Sequence, residues 1–316
     1  MEGKVHFGLA AFILSASLLM VGFAHAKQAP PSAKAIDPIV STKWLEENMN
    51  RVNLVILDIR SAEEYKAGHI AKAINVPFLV PSCEWIAVRD NLILELPEEG
   101  ALFNTIGSCG IKGDSLVVIV TTTAKPPDPP YPLANATRVA DTLLYAGVKN
   151  VAILDGGYPK WVAEGKPTSK EVPSVSKVSY QGKTNKAMFV SKEYVKKQIG
   201  KAVIVDARDA NVYFGVAIEP FAEKAGHIPK AKSLPTPWMW RPDGTYQDTK
   251  MLSAMAAGVV GKQKAREIIV YCGVGGYASS WWFVLTQVLG YQNVKIYDGS
   301  AQEWVRSNDM VPYKWE

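Results

Sequence analysis

Apolar residues in this chain gather in short consecutive runs. Leu54-Val55-Ile56-Leu57, Val117 to Val120, Ala202-Val203-Ile204-Val205 and Ile268 to Tyr271 carry the strongest of them. Runs this short, rich in β-branched residues and apolar on successive positions, predict strands covered on both faces. Between them lie stretches of helical spacing, opened by Ser41 and by Ser191 as start signals. Strands alternating with helices imply parallel sheets with helices on both faces, because parallel neighbours need crossover connections. The predicted fold class is α/β.

The pattern occurs twice. Val40-Ser41-Thr42-Lys43-Trp44-Leu45 is echoed by Val190-Ser191-Lys192-Glu193-Tyr194-Val195, and Asp58-Ile59-Arg60 by Asp206-Ala207-Arg208. Gly-His-Ile follows in both halves, with His69 and His227, and then a proline segment at Pro77 and at Pro235. Each half closes on Asp-Gly, Asp155 to Trp161 and Asp298 to Trp304, with identical spacing from Asp to Trp. Such an internal repeat predicts two tandem domains, each a small parallel sheet flanked by helices, at 37–165 and 187–316. The segment 166–186, rich in Lys, Ser, Thr and Pro, reads as a linker over the surface. A length of 316 residues suits two cores.

Composition removes several alternatives. With 48% hydrophobic and 21% charged residues the chain is globular, and its net charge of +5 is scattered rather than clustered, so no nucleic-acid footprint is expected. Lys4 and His6 precede an apolar run from Leu9 to Ala24 that ends in Ala24-His25-Ala26. That run is short of the roughly twenty residues of a membrane span and ends in a small-x-small pattern. It predicts a signal peptide over 1–26, cleaved near Ala26. The expected location is periplasmic or extracellular, without a stable membrane anchor. Export implies an oxidising compartment. The simplest arithmetic for three cysteines pairs Cys83 with Cys109 and leaves Cys272 free; the other reading keeps the first two as buried thiols.

Cys272 follows the run Ile268 to Tyr271 and opens the loop Gly273-Val274-Gly275-Gly276-Tyr277, ahead of a helical stretch from Ala278 to Leu289. The thiol therefore stands at the C-terminal end of a parallel strand, where ligands bind in open α/β sheets. Three glycines let backbone N–H groups turn toward the sulfur, and the helix adds the positive end of its dipole. Both favour the thiolate, the reactive form.

On these marks, Asp-x-Arg twice, Gly-His-Ile twice, the paired Asp-Gly closures and the cysteine loop, the chain resembles the tandem-domain rhodanese family of thiosulfate and 3-mercaptopyruvate sulfurtransferases over roughly 37–316. The resemblance implies a persulfide carried on Cys272, an inactive N-terminal domain, and Gly273, Val274, Gly275, Gly276, Tyr277 and Arg208 as the substrate- and persulfide-binding set. Aligning Val118 to Thr121 with Ile268 to Tyr271 puts Thr122 opposite Cys272, within a longer proline-rich loop running to Leu133. That loop reads as a relic of a dead site, as cover for the domain interface or as a dock for an exported partner.

The sequence also departs from the family. Gly273 directly follows the cysteine, as in the mercaptopyruvate type, but Val274 and Tyr277 replace that type's Ser and Thr. Two further expected arginines fall at Val212 and Phe221, so an anionic substrate loses two clamps. Trp238, Trp240, Trp281, Trp282 and Tyr277 make the second domain aromatic instead, and Arg241 is a possible replacement cation. His69 and His227 recur in both halves and read as structural. With no Cys-x-x-Cys or His-Glu-x-x-His spacing, neither metal nor organic cofactor is expected.

A cysteine phosphatase is disfavoured, because no Arg or Lys follows Cys272 before Trp282 to clamp phosphate. The expectation is a sulfurtransferase passing a sulfane sulfur from a small-molecule donor to a thiol or cyanide. The rival is an exported protein of the same fold that binds a sulfur or selenium species, or docks a partner, without turnover.

Overall fold

The apolar runs form the inner strands of two five-stranded sheets. The first holds β1 (Ile39–Val40), β2 (Leu54–Asp58), β3 (Ile74–Asn75), β4 (Leu116–Val120) and β5 (Asn150–Leu154), ordered β1-β5-β4-β2-β3. The second holds β6 (Phe189–Val190), β7 (Val203–Asp206), β8 (Lys232–Ser233), β9 (Ile268–Tyr271) and β10 (Val294–Tyr297), ordered β6-β10-β9-β7-β8. All pairings are parallel and the two orders are the same, so the sequence repeat is a repeat of topology. The computed structural model describes residues 1–3, 34–125 and 127–313; the apolar run and cleavage site expected near the N-terminus lie outside them.

Helices cover both faces. In the first half these are α1 (Thr42–Asn48), α2 (Ala62–Ala67), α3 (Glu99–Ser108), α4 (Tyr131–Tyr145) and α5 (Gly157–Ala163). In the second they are α6 (Lys192–Gln198), α7 (Ala210–Tyr213), α8 (Thr249–Val260), α9 (Gly276–Phe283) and α10 (Ser300–Trp304). Ser41 and Ser191 cap α1 and α6, their hydroxyls accepting from the N–H groups of Trp44 and Tyr194. Among the described residues no helix is long and apolar enough to cross a membrane. The connection after α5 pairs Thr168–Ser169 with His69–Ile70, then runs along the first domain, where the Tyr180 hydroxyl donates to the Ala146 carbonyl.

The repeated motifs are load paths of each domain. Arg208 donates from Nε to Asp206 at 2.9 Å and from Nη2 to Asp206 at 2.6 Å and to the Gly226 carbonyl at 2.7 Å. Arg60 makes the same set to Asp58 and the Gly68 carbonyl. The glycine of Gly-His-Ile thus presents its carbonyl to the arginine of Asp-x-Arg. The histidines stack on Tyr65 and Tyr213 at 3.7 and 3.9 Å and bond the carbonyls of those same tyrosines, which makes them structural.

Strand register corrects one sequence alignment. Asp58 lies opposite Val120, and Asp206 opposite Tyr271. Val120 therefore corresponds to Tyr271, and Thr121 rather than Thr122 to Cys272. The main chain agrees: Tyr158 N donates to Thr121 O at 2.8 Å, and Ala301 N to Cys272 O at 2.9 Å. One apolar run is a residue longer than the other, and only the neighbouring strand fixes which end is extra. Cys83 and Cys109 are free thiols, so the expected pairing is not formed; burial pushes Cys109 up to about 11.

Candidate active site

β9, the central strand of its sheet, delivers Cys272 to the C-terminal end of the strands, and α10 fixes the turn that follows. Cys272 N donates to the Ser300 hydroxyl at 3.2 Å, which in turn donates to the Tyr297 carbonyl at 2.9 Å. Ala301 N holds the Cys272 carbonyl and Gln302 N the Gly273 carbonyl at 3.0 Å. The Asp-Gly closure of the repeat is therefore the clamp on the cysteine loop. Gly275, at φ +95°, reverses the chain into α9 in backbone that a side chain would strain.

Gly275 N donates to Sγ of Cys272 at 3.0 Å. The amides of Val274 and Ala278 also favour the thiolate, as expected of a loop wrapped on the sulfur. They do not prevail. Cys272 is 2% exposed, and burial, reinforced by the charge of Glu219, raises its thiol above the ordinary range. The N–H cradle that favours the thiolate is in place, and burial works against it.

Gly273 lies beneath a cover. A methyl group there would meet the Phe221 ring at 2.5 Å and the Glu219 carboxylate at 2.8 Å, so a larger residue would require those side chains to shift. Val274 is partly exposed, and Gly276 begins α9. The Tyr277 ring lies 5.5 Å from that of Tyr131, at the start of α4 in the other domain. The proline-rich loop of the first domain thus brings an aromatic side chain to the Cys272 loop of the second.

Arg208 is not available to a substrate. Its Nε and Nη2 are committed to Asp206 and Gly226, and Nη1 faces Glu219 at 3.5 Å. Of the two readings of Arg208, substrate anchor or structural partner of a carboxylate near its strand, these bonds favour the structural one. Arg241 does not substitute for it: its ion pair is with Asp248 at 3.9 Å, on the segment that covers Asp155 of the first domain. Trp281 and Trp282 are core residues, as is Trp240, whereas Trp238 is exposed. Sequence reasoning missed Tyr131 and Glu219 as site residues. The one signal was position, since Tyr131 ends the loop equivalent to the cysteine loop and Glu219 precedes a position where arginine was expected.

The two domains clamp each other's closures. Asp298 accepts from Arg138 of α4 at 2.7 Å and from Leu96 N at 3.1 Å, and Asp155 accepts from Tyr246 N at 2.8 Å. Arg138 is fully buried and also donates to the Leu94 carbonyl. Thr137 of α4 and Ser280 of α9 share a hydrogen bond at 2.7 Å where these helices meet.

Comparisons with known proteins agree with this architecture. The rhodanese-like domain model matches twice, over residues 41–164 and 191–307. A sulfur carrier protein of Thermus thermophilus, TtuD, is 31% identical over 84% of this chain and 93% of its own. A candidate thiosulfate sulfurtransferase of Mycobacterium leprae is 29% identical over 85% of this chain and 94% of its own. Among solved structures, YnjE superposes with TM-score 0.73 at 21% identity, covering 88% of this chain and 69% of that one. The anaerobic ergothioneine biosynthesis enzyme of Chlorobium limicola, bound to trimethyl histidine, gives 0.71 at 20%, covering 87% and 71%. These structural likenesses speak to fold alone. With the same sheet order in both halves and the family model matched across each, the chain belongs to the rhodanese-like domain family as a tandem pair.

Proposed function

We propose that this rhodanese-type sulfurtransferase carries sulfur on Cys272, taking a sulfane sulfur from a small donor and passing it to a thiol or cyanide. The observation that carries the reading is the Gly275 amide 3.0 Å from Sγ, in a loop whose other amides turn the same way. In the first step the thiol gives up its proton and Sγ attacks the donor's outer sulfur. A Cys272 S–S bond forms, and the donor residue leaves with the electron pair of the broken bond. In the second, the acceptor attacks the terminal sulfur and the Cys272 thiolate departs. The N–H groups of Val274, Gly275 and Ala278 stabilise anionic sulfur in both. Because Cys272 is 2% exposed, the cover formed by Glu219 and Phe221 must yield to admit either substrate.

Mass spectrometry tests this directly. After incubation with thiosulfate or mercaptopyruvate, the peptide containing Cys272 should gain one sulfur atom, and cyanide should remove it as thiocyanate. Cys272→Ser should abolish both. The burial and raised pKa of Cys272 favour one other reading, a protein that binds a sulfur or selenium species without turnover. Absence of added sulfur and of thiocyanate with every donor would support it. Export belongs to the same proposal and rests on the N-terminal pattern of Lys4, the run Leu9 to Ala24 and Ala26. N-terminal sequencing of protein from the periplasmic or secreted fraction should begin near Lys27.

A further inference from the structure

The charge balance around Cys272 is unusual for a site meant to hold an anion. The two guanidinium groups nearest the loop are already neutralised. Arg208 lies between Asp206 and Glu219, and Arg138 lies on Asp298. Glu219 Oε2 is buried without a hydrogen-bond partner among the described residues, Arg208 Nη1 standing 3.5 Å away. Asp209 is exposed at the start of α7, caps no backbone N–H there and has no ion pair among the described residues. Its charge raises the pKa values of Tyr131, Tyr277 and Glu219.

Tyr277 supplies a separate indication of a ligand. It is 7% exposed, its hydroxyl has no hydrogen-bond partner among the described residues, and its ring pairs with Tyr131 beside the cysteine loop. The positions where family resemblance calls for arginine carry Val212, which is buried, and Phe221, whose ring lies over Gly273. Two other cations, Lys224 and Arg306, line with Phe221 a cleft of about 480 Å³, but each is engaged. Lys224 holds Asp309 and the Asn308 carbonyl, and Arg306 holds the carbonyls of Asp90 and Asn91.

Two carboxylates with spare acceptor capacity, an unpartnered phenol and two aromatic rings make a receptor for positive charge, since ring faces attract cations as carboxylates do. We propose that the mouth of the Cys272 loop selects a sulfur donor or acceptor bearing an ammonium or quaternary ammonium group, seated between Glu219, Asp209 and the rings of Tyr131 and Tyr277. This rests on the reading of Cys272 as the sulfur carrier and narrows its substrate class. It also supplies what the resting site lacks. A cation beside Sγ offsets the Glu219 charge and draws the thiol toward thiolate, so the correct substrate activates its own nucleophile.

Charged methanethiosulfonates test this without turnover. The Cys272 thiol loses its proton to solvent and Sγ attacks the sulfenyl sulfur; a disulfide forms, the S–SO2 bond breaks, and methanesulfinate leaves with the electron pair. Trimethylammonioethyl, sulfonatoethyl and uncharged methyl reagents are compared by the rate of labelling of the Cys272 peptide, each divided by its rate with 2-mercaptoethanol. The cationic reagent should exceed the anionic one by about tenfold or more, the order expected of an unbalanced charge a few ångströms away in a partly shielded site. The neutral reagent should fall between them. Asp209→Asn, at an exposed position, and Glu219→Gln should each shrink the ratio. A ratio near one, an anion preference, or a ratio unchanged in both variants overturns the proposal. Sulfur loading on Cys272, measured separately, shows whether the sulfurtransferase reading stands on its own.

Discussion

Ser300 occupies left-handed backbone, at φ +49°, where its counterpart in the first domain is Gly157 at φ +57°. The cysteine-loop half has accepted a side chain in a conformation that glycine adopts freely, and the hydroxyl explains why, since it bridges Cys272 N to the Tyr297 carbonyl. Ser300→Ala should cost about 1–3 kcal/mol by leaving the buried Cys272 N–H unpartnered, with the strain retained. Ser300→Gly should be less harmful by ~1 kcal/mol, because the strain is relieved. Urea denaturation of the two variants measures that difference, and the opposite order would remove strain from the account. At this scale the thiol was legible in sequence, since a cysteine after a buried run and before a glycine loop has few other settings. Its protonation was not. Burial and a carboxylate well upstream of the cysteine have no signature in the loop itself; the Glu219 charge reaches Sγ only once the chain has folded.

The segment bearing Glu219 and Phe221 forms the cover over the cysteine loop. Its contact with the loop is the narrow approach over Gly273, and a short bridge between Glu219 and Ala222 shapes it. Phe221 is partly exposed and holds the cover down through its ring. Phe221→Ala should therefore speed labelling of Cys272 by the uncharged thiosulfonate severalfold, with stability changed by no more than about 1 kcal/mol, as for a half-exposed side chain. An unchanged labelling rate would assign access to another route. Consecutive apolar runs announced both sheets, and the serine caps announced α1 and α6. The strand pair Ala87–Arg89 and Leu92–Glu95 gave no such signal. Its residues serve the neighbouring domain, with Ile93 exchanging hydrogen bonds with Gln302 and Leu96 N donating to Asp298, and a periodicity judged within one domain cannot display that purpose.

Across the whole molecule, buried charge holds the halves in one arrangement. Arg138 is enclosed entirely and paired with Asp298, so Arg138→Ala leaves a carboxylate uncompensated and should cost about 3–5 kcal/mol, read from chemical denaturation. Loss of sulfur loading should accompany it, because Asp298 begins the turn that ends in Ser300. The same interface sets a pH dependence. Burial pushes Glu95 up from 4.5 to about 8, Asp298 adding to the effect, and Glu219 is pushed to about 7 mainly by burial. A carboxyl whose pKa rises on folding binds its proton more tightly in the native state. Its contribution is therefore complete below its unfolded value and is lost as pH climbs through the folded one. The protein should be more stable near pH 5 than near pH 8 on this account. Glu95→Gln should flatten that slope in urea titrations repeated across the range.

The crossing of contacts between the halves has a bearing on attempts to cut the protein down. Residues 187–316 hold the nucleophile and its glycines, yet the counter-ion of Asp298 and the aromatic partner of Tyr277 come from α4 of the other copy. Excised, the catalytic piece would keep its chemistry on paper and lose the mould that shapes it. The copy with threonine in place of the loop cysteine is thus the template against which its sibling sets.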